Sequence, residues 1–428
     1  MLRRLFLLIV LLALPAHAQE PCLVGAWRLA GGMTLDISPG AEGGLRWRKF
    51  DGTTGKLFGM NSTWHSMLGW TGELDGHRID GADCDRGWIA FDGAGASRAP
   101  LDVRDTAFDS MTAEGERTRL AGRLILPEGA GPFPLVVLVQ GSEAFSAVTA
   151  NGLQRLLPAE GVGVFVYDKR GTGRSGGSYT QDFDLLAADA TAALAEAKRL
   201  AAQRVNRAGY FGMSQGGWVA PLAANRSEVD FVIVASGLAI SPLDQNRAQI
   251  IYEMEEKGHG EAEIAKAMEI AEAGERILLS GFTRGFSEFD QVRARYHTEP
   301  WYRDVRGNYL YLMMPLTGDR LKARENSFKL GTPWLYDPMP VLSASTAPQL
   351  WLLAEEDIKT PSAETARRIE GLRARGLPFT TVMFANTGHG ILEYETGRDG
   401  SRVDTRNPDG YLALIRDFAL NGPLPPHQ

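Results

Sequence analysis

Ser214 stands within Gly212-Met213-Ser214-Gln215-Gly216, inside the run Asn206 to Ala224 (NRAGYFGMSQGGWVAPLAA). A serine hydroxyl is a poor nucleophile until a base takes its proton, and the base works best when a carboxylate holds its tautomer. Small residues two positions to either side suit a sharp strand-to-helix turn, which strains the serine backbone and stands Oγ clear of its neighbours. An apolar run, Gly209 to Met213, precedes the serine, and a helix-compatible run, Gln215 to Ala224, follows it. With 49 glycines in the chain, the pattern by itself fits equally a turn that merely packs. Its partners decide.

The chain has seven histidines. His17 lies in a leader, His65 and His77 in a tryptophan-rich N-terminal region, His259 and His297 in a helical stretch, and His427 in the tail. Only His389 directly follows a core strand pattern, with Gly388 and Gly390 on either side to let the ring reach over a sheet edge. Before it, Leu352-Leu353-Ala354-Glu355-Glu356-Asp357-Ile358-Lys359-Thr360-Pro361 places three carboxylates in a row at a strand end. Periodicity does not choose among them.

The elements that must position these residues read as strand–helix alternation. Leu101 to Phe108 and Arg119 to Leu126 form a strand pair. Leu135 to Val139 is a continuous apolar run, as in a strand buried on both faces. Helices near Ala150 to Glu160 and Asp184 to Ala202 alternate with strands Val162 to Tyr167, Gly209 to Met213 and Phe231 to Val234. The rhythm stops from about Gly237 to Ser343, where helical patterns with Tyr296, Trp301, Tyr302, Tyr309 and Tyr311 replace it. It resumes with strand Gln349 to Leu353, helix Ser362 to Arg375, strand Phe379 to Phe384 and helix Gly410 to Leu420. Such alternation implies βαβ units and a parallel sheet, with residues 237–343 as a helical insertion.

At this point the chain resembles the α/β-hydrolases over residues from about 115 to 420. The order serine, acid, histidine is the family's. Ala354 to Pro361 is similar to the family's pattern of a small residue, an aspartate three positions on, then a small or β-branched residue and proline, which selects Asp357 and leaves Glu356 as the fallback. The resemblance implies a catalytic set of Ser214, Asp357 and His389. It also implies an oxyanion hole from the backbone N–H groups of Gln215 and Ser142, the latter in Gln140-Gly141-Ser142, where relatives often have His-Gly. Val166 to Ser175 (VYDKRGTGRS) resembles a loop of esterases and serine aminopeptidases, in which Asp168 and Arg170 are expected to pair structurally. The insertion is expected to cap the site, its aromatics serving either as pocket lining or as the cap's own core. The expected fold class is α/β, an α/β-hydrolase fold with a helical cap and a small N-terminal all-β domain.

The expected reaction is hydrolysis of a carboxylic ester through an acyl-enzyme, with a serine peptidase of aminopeptidase or prolyl-oligopeptidase type as alternative, and a non-catalytic binding protein on the same scaffold as second alternative. Because the base must be neutral, activity is expected to rise through about pH 6–7, the ordinary histidine range. The sequence carries no metal-ligand cluster, phosphate-cradling loop or dinucleotide fingerprint, so no cofactor or metal is expected.

The first hundred residues read differently. Arg3-Arg4, the apolar Leu5 to Leu14 and Ala16-His17-Ala18 have the form of a secretory signal, residues 1–18, cut before Gln19. The expectation is an exported protein, periplasmic or secreted, without a stable membrane anchor. Residues 19–100 hold five of the nine tryptophans and short alternating runs, as in a small all-β domain, with a hydrophilic connection around Asp92 to Ser97 leading into the catalytic domain, 101–428. Gly25-Ala26-Trp27 is similar to the opening of lipocalin-like barrels, a match of three residues. The tryptophans suit either a ligand platform or the filling of a small core. The two cysteines, Cys22 and Cys84, are expected to pair in an oxidising compartment, although spacing alone also allows two separate thiols. The formal net charge is −7, which recommends no nucleic-acid partner; the expected partner is a small ester or short peptide.

Overall fold

The computed structural model describes residues 22–423 apart from 41–42, 61–62, 113–114 and 399. The leader, its cleavage point and His427 lie outside the described residues.

The N-terminal strands are β1 (Gly25–Leu29), β2 (Thr34–Pro39), β3 (Leu45–Lys49), β4 (Thr54–Met60), β5 (Thr63–Leu68), β6 (Leu74–Asp83), β7 (Trp88–Phe91) and β8 (Ala94–Arg98). Each pairs antiparallel with the next, and β8 returns to β1 to close a barrel. Inward positions on alternate residues fill the interior: Trp27, Leu35, Ile37, Trp47, Leu57, Ile79, Ile89 and Phe91 are buried together. Closure leaves no free edge to aggregate. Cys22 and Cys84 form a disulfide with Cα atoms 5.7 Å apart, joining the approach to β1 to the turn after β6. The expected hydrophilic connection at 92–97 is instead the β7–β8 turn and most of β8 itself. Alternation is weak there because Ala94-Gly95-Ala96-Ser97 carries little apolar bulk. The link to the second sheet is Ala99-Pro100.

The second sheet comprises β9 (Leu101–Met111), β10 (Arg117–Pro127), β11 (Phe133–Val139), β12 (Gly163–Tyr167), β13 (Val205–Met213), β14 (Phe231–Ala235), β15 (Gln349–Ala354) and β16 (Phe379–Phe384). Their spatial order is β16-β15-β14-β13-β11-β12-β10-β9, and β10 alone runs against the others. β11 sits at the centre, with Val137 beside Phe165 on one side and Tyr210 on the other. Its continuous apolar run still serves two faces. Leu135, Val137 and Val139 pack with helices Phe183–Ala201 and Gly216–Ala224, and Val136 and Leu138 with helices Leu153–Ala159 and Tyr411–Asn421. Burial of each such side chain contributes roughly 1.5–3 kcal/mol.

Between β14 and β15 the chain forms helices Pro242–Glu256, Glu261–Leu279 and Phe286–Tyr296, followed by shorter helical pieces, with a core of their own. Trp301 and Tyr296 belong to that core. A three-stranded sheet, β17 (Thr387–Gly388), β18 (Leu392–Thr396) and β19 (Arg402–Arg406), follows β16. It has no counterpart in the strand pattern read from the sequence. Glu393-Tyr394-Glu395-Thr396 and Arg402-Val403-Asp404-Thr405-Arg406 are too charged to announce a strand, and their pairing is completed by tertiary contacts. The Trp70 N–H donates to the Asp404 carbonyl (2.8 Å) and the Asn407 N–H to the Gly52 carbonyl (3.0 Å), so the hairpin holds the barrel. A buried ion pair does the same on the other side: Arg155 Nε lies 2.6 Å from Asp36 Oδ1, with Arg48 Nη1 3.7 Å from Oδ2.

Candidate active site

Ser214 follows β13 directly and has φ of +53°, a conformation that non-glycine residues adopt only where the surroundings hold it. The holding contacts are its own N–H to the Ala235 carbonyl (3.0 Å) and its carbonyl accepting from the Gly217 N–H (2.7 Å). Both flanking glycines are required by close approach. A Cβ on Gly212 would collide with the Gly216 carbonyl, and one on Gly216 with the Val139 carbonyl of the neighbouring strand. Helix Gly216–Ala224 starts immediately beyond.

His389 and Asp357 come from adjacent strands, β16 and β15, at the same edge as Ser214. His389 Nδ1 lies 3.1 Å from each carboxylate oxygen of Asp357. Asp357 is fully buried, and Thr360 satisfies it further: the Thr360 N–H donates to Oδ1 (2.8 Å) and its hydroxyl to Oδ2 (2.6 Å). Burial works against this charge, but the neighbouring His389 and these hydrogen bonds outweigh it, so the carboxyl titrates below the ordinary aspartate range. Glu356, the fallback acid, is engaged elsewhere, accepting from the Tyr394 hydroxyl and lying 3.6 Å from Arg402. The His389 loop is pinned by Ser236 Oγ, which accepts from the Gly390 N–H (3.0 Å).

Ser142 follows β11, the immediate neighbour of β13, so its loop stands beside Ser214. The Lys169 ammonium donates to the Gly141 carbonyl and the Tyr179 hydroxyl to the Ser142 carbonyl, both at 2.5 Å. In a trans peptide the N–H points opposite to the carbonyl. Holding the Gly141 carbonyl toward Lys169 therefore turns the Ser142 N–H the other way. Among the described residues, neither the Ser142 nor the Gln215 amide donates to a protein acceptor. Burial pushes the Lys169 ammonium down to about 8, against the opposing pull of the Glu143 charge.

Ser214, His389, Gln215 and Ser142 line one cavity of about 380 Å³ beneath the helical insertion. Tyr309, Tyr311 and Trp334 line it too, so the insertion's aromatics divide between site and core. Gln140 lines a different cavity, toward the barrel. Asp168 and Arg170 do not pair with each other. Arg170 forms a bidentate pair with buried Asp189 (2.6 and 2.8 Å), which the long sequence gap to the next helix concealed. Asp168 instead accepts from the Val148 and Arg174 N–H groups (3.1 and 3.0 Å) and the Ser146 hydroxyl (2.7 Å). Thr360, Ser236, Lys169 and Tyr179 were not singled out from the sequence as site residues. Thr360 and Lys169 fall inside the two motifs quoted for the resemblance, whereas Ser236 and Tyr179 carry no local signal. Among the described residues, no group of three or more His, Cys, Asp or Glu could hold a metal ion.

A model of the alpha/beta hydrolase family matches residues 124–399. The chain belongs to the α/β-hydrolase family. Solved structures of two kinds are similar to this hydrolase at a low level. An acylaminoacyl peptidase of Pyrococcus horikoshii is 14% identical over 84% of this chain and 50% of its own, with a TM-score of 0.41; this hydrolase thus spans half that peptidase's length. An esterase of Pyrococcus furiosus is 14% identical over 67% of this chain and 84% of its own, with a TM-score of 0.42. A thermophilic esterase of Thermogutta terrifontis, solved with malate bound, is 17% identical over 67% and 91%, with a TM-score of 0.38. No curated protein matches the sequence.

Proposed function

We propose that this hydrolase is an exported serine esterase, cleaving carboxylic esters through Ser214, His389 and Asp357. The observation that carries the reading is the buried Asp357 carboxylate at 3.1 Å from His389 Nδ1, with His389 and the strained Ser214 lining one cavity. Asp357 holds Nδ1 protonated, which leaves Nε2 as the base. Ser214 Oγ attacks the ester carbonyl as Nε2 takes its proton. The resulting oxyanion is received by the Gln215 and Ser142 N–H groups, each such donor being worth a factor of roughly 10²–10³ in kcat in related hydrolysis. His389 then protonates the leaving alcohol, and water repeats the sequence on the acyl-enzyme to release the acid.

Export is supported by the leader's composition and by the Cys22–Cys84 disulfide, which suits an oxidising compartment. A serine peptidase of aminopeptidase or prolyl-oligopeptidase type, suggested by the resemblance of the Asp168–Ser175 loop, is the second reading, in which Asp168 and Arg170 serve structurally through backbone amides and Asp189. A fluorophosphonate is expected to label Ser214 in the native protein and to leave Ser214→Ala unlabelled. Failure to label the native protein would sink the reading, and faster turnover of aminoacyl-p-nitroanilides than of p-nitrophenyl esters would replace it with the peptidase.

A further inference from the structure

Three catalytic loops turn consecutive residues toward two different cavities. Ser214, His389 and Ser142 line the cavity under the cap. Their chain neighbours Met213, Gly390 and Gly141 line a second cavity, of about 300 Å³, between the catalytic domain and the barrel. Glu143 borders both. The second cavity is walled mainly by carbon. Leu153, Leu156 and Leu412 come from the helices on that face of the sheet, and Leu392 from the barrel-bound hairpin. Its barrel side is formed by Trp70 with Arg48, Lys49 and Gly52; Trp70 is 44% exposed while Trp27 and Trp47 are buried in the barrel core. The Arg46 guanidinium lies 4.0 Å from the Trp70 ring centroid, and the Trp70 backbone N–H donates to the Asp404 carbonyl, so the main chain that carries this indole is tied to the catalytic domain. Buried Tyr411 also lines the cavity, and its hydroxyl has no hydrogen-bond partner among the described residues.

The direction of the reaction assigns the two cavities. For His389 to protonate the departing oxygen, the alcohol arm must leave past the imidazole, which faces the cap-side cavity together with Lys359. The acyl arm extends from the opposite side of the same carbonyl. Gly141 and Met213, the residues just before the oxyanion donor and the nucleophile, border the barrel-side cavity. We infer that the barrel completes the active site: the cavity between Trp70 and the oxyanion loop is an apolar subsite for the acyl chain of the substrate. This rests on the esterase reading above. At the roughly 30 Å³ taken by a small heavy-atom group, the cavity holds on the order of ten such groups, the size of a medium-chain fatty acyl arm. Each methylene that enters should raise kcat/KM by up to roughly fourfold.

Two pocket-filling variants away from the triad, Leu153→Trp and Leu392→Trp, test this with p-nitrophenyl acetate and octanoate. The expected result is acetate turnover within about twofold of wild type in both, with octanoate kcat/KM falling tenfold or more. An unchanged octanoate-to-acetate ratio in both variants would overturn the subsite. So would a loss confined to acetates of long-chain alcohols, which would assign the cavity to the leaving group. Wild-type protein complexed with octylboronic acid, whose boron accepts Ser214 Oγ and whose alkyl group stands for the acyl chain, gives a readout independent of variant folding. The octyl chain is expected beside Trp70 and Leu153; a chain lying under Tyr309 and Trp334 overturns the assignment. Wild-type protein that turns over no ester and takes no fluorophosphonate label would instead remove the esterase reading on which the subsite depends.

Discussion

His389 Nδ1 is equidistant, at 3.1 Å, from the two carboxylate oxygens of Asp357, and Thr360 donates to both of those oxygens. The carboxylate is held from two sides. Asp357→Asn should keep the fold and lower kcat by roughly 10³–10⁴, because the amide favours the wrong imidazole tautomer. Steady-state ester kinetics check this. Thr360→Val, which removes one of the donors to the carboxylate, should cost less, roughly tenfold. Since the Asp357 pKa is depressed, its stabilisation is present above the ordinary aspartate value near 4 and is lost as pH falls below it. Acid unfolding of the wild type should accordingly be steeper than that of Asp357→Asn.

Lys169 fixes the Gly141–Ser142 peptide from behind. Lys169→Met should lower kcat about tenfold to a hundredfold with little change in KM, less than the loss of an oxyanion donor itself. Stability should carry a second signature. Burial lowers the folded-state pKa of Lys169 from 10.5 to about 8, so between those values the unfolded chain holds a proton that the folded chain has released. Wild-type stability should therefore rise relative to Lys169→Met as pH goes from 8 to 10.5, by up to roughly 3 kcal/mol. Urea denaturation of both proteins across that range measures the difference.

The barrel is seated on the catalytic domain through Asp36 and Arg155, both buried. Asp36→Asn leaves two arginines facing an uncharged amide, and the loss expected for a broken buried pair is about 3–5 kcal/mol. The double replacement Asp36→Asn/Arg155→Met should recover part of it, because the closer and more deeply buried of the two charges is then gone and only Arg48, whose side chain is 25% exposed, remains. Denaturant midpoints of the single and double variants separate these outcomes.

The disulfide closes a loop with a sequence separation of 62. Replacing Cys22 and Cys84 by serine should lower stability by at most roughly 4 kcal/mol, on the loop-entropy account. A reducing agent should shift the thermal midpoint of the wild type in the same direction and leave that of the double variant unmoved.

Much of the catalytic fold was legible because its signals are local. Leu135 to Val139 reads as a doubly buried strand from five side chains alone, and Gly212 and Gly216 announce the turn at Ser214 because any Cβ there would meet backbone. The hairpin Leu392 to Arg406 was illegible for the opposite reason. Its strands are charged, and what stabilises them is the barrel and the loop they touch, far away in the chain. Asp168 and Arg170 show the same limit. Two opposite charges two residues apart suggest a pair, yet each finds its partner in another element.

The sequence by itself determined the strand–helix alternation and the strand ends at which Ser214, His389 and the Glu355–Asp357 run sit, because these depend on residue type and short-range periodicity. Its motifs, by resemblance, pointed to the family and to Asp357. Among the three carboxylates in a row, residue type and periodicity chose none. Tertiary structure shows Asp357 facing the imidazole and Glu356 turned to Tyr394, since both share one turn and only packing orients them. It also decided which of the barrel's tryptophans fill its core and that Trp70 faces a cavity. Trp47 and Trp70 look alike in sequence; the closing of the barrel buries the first, and the docking of the barrel against the second sheet's domain sets the second on the wall of the cavity between them.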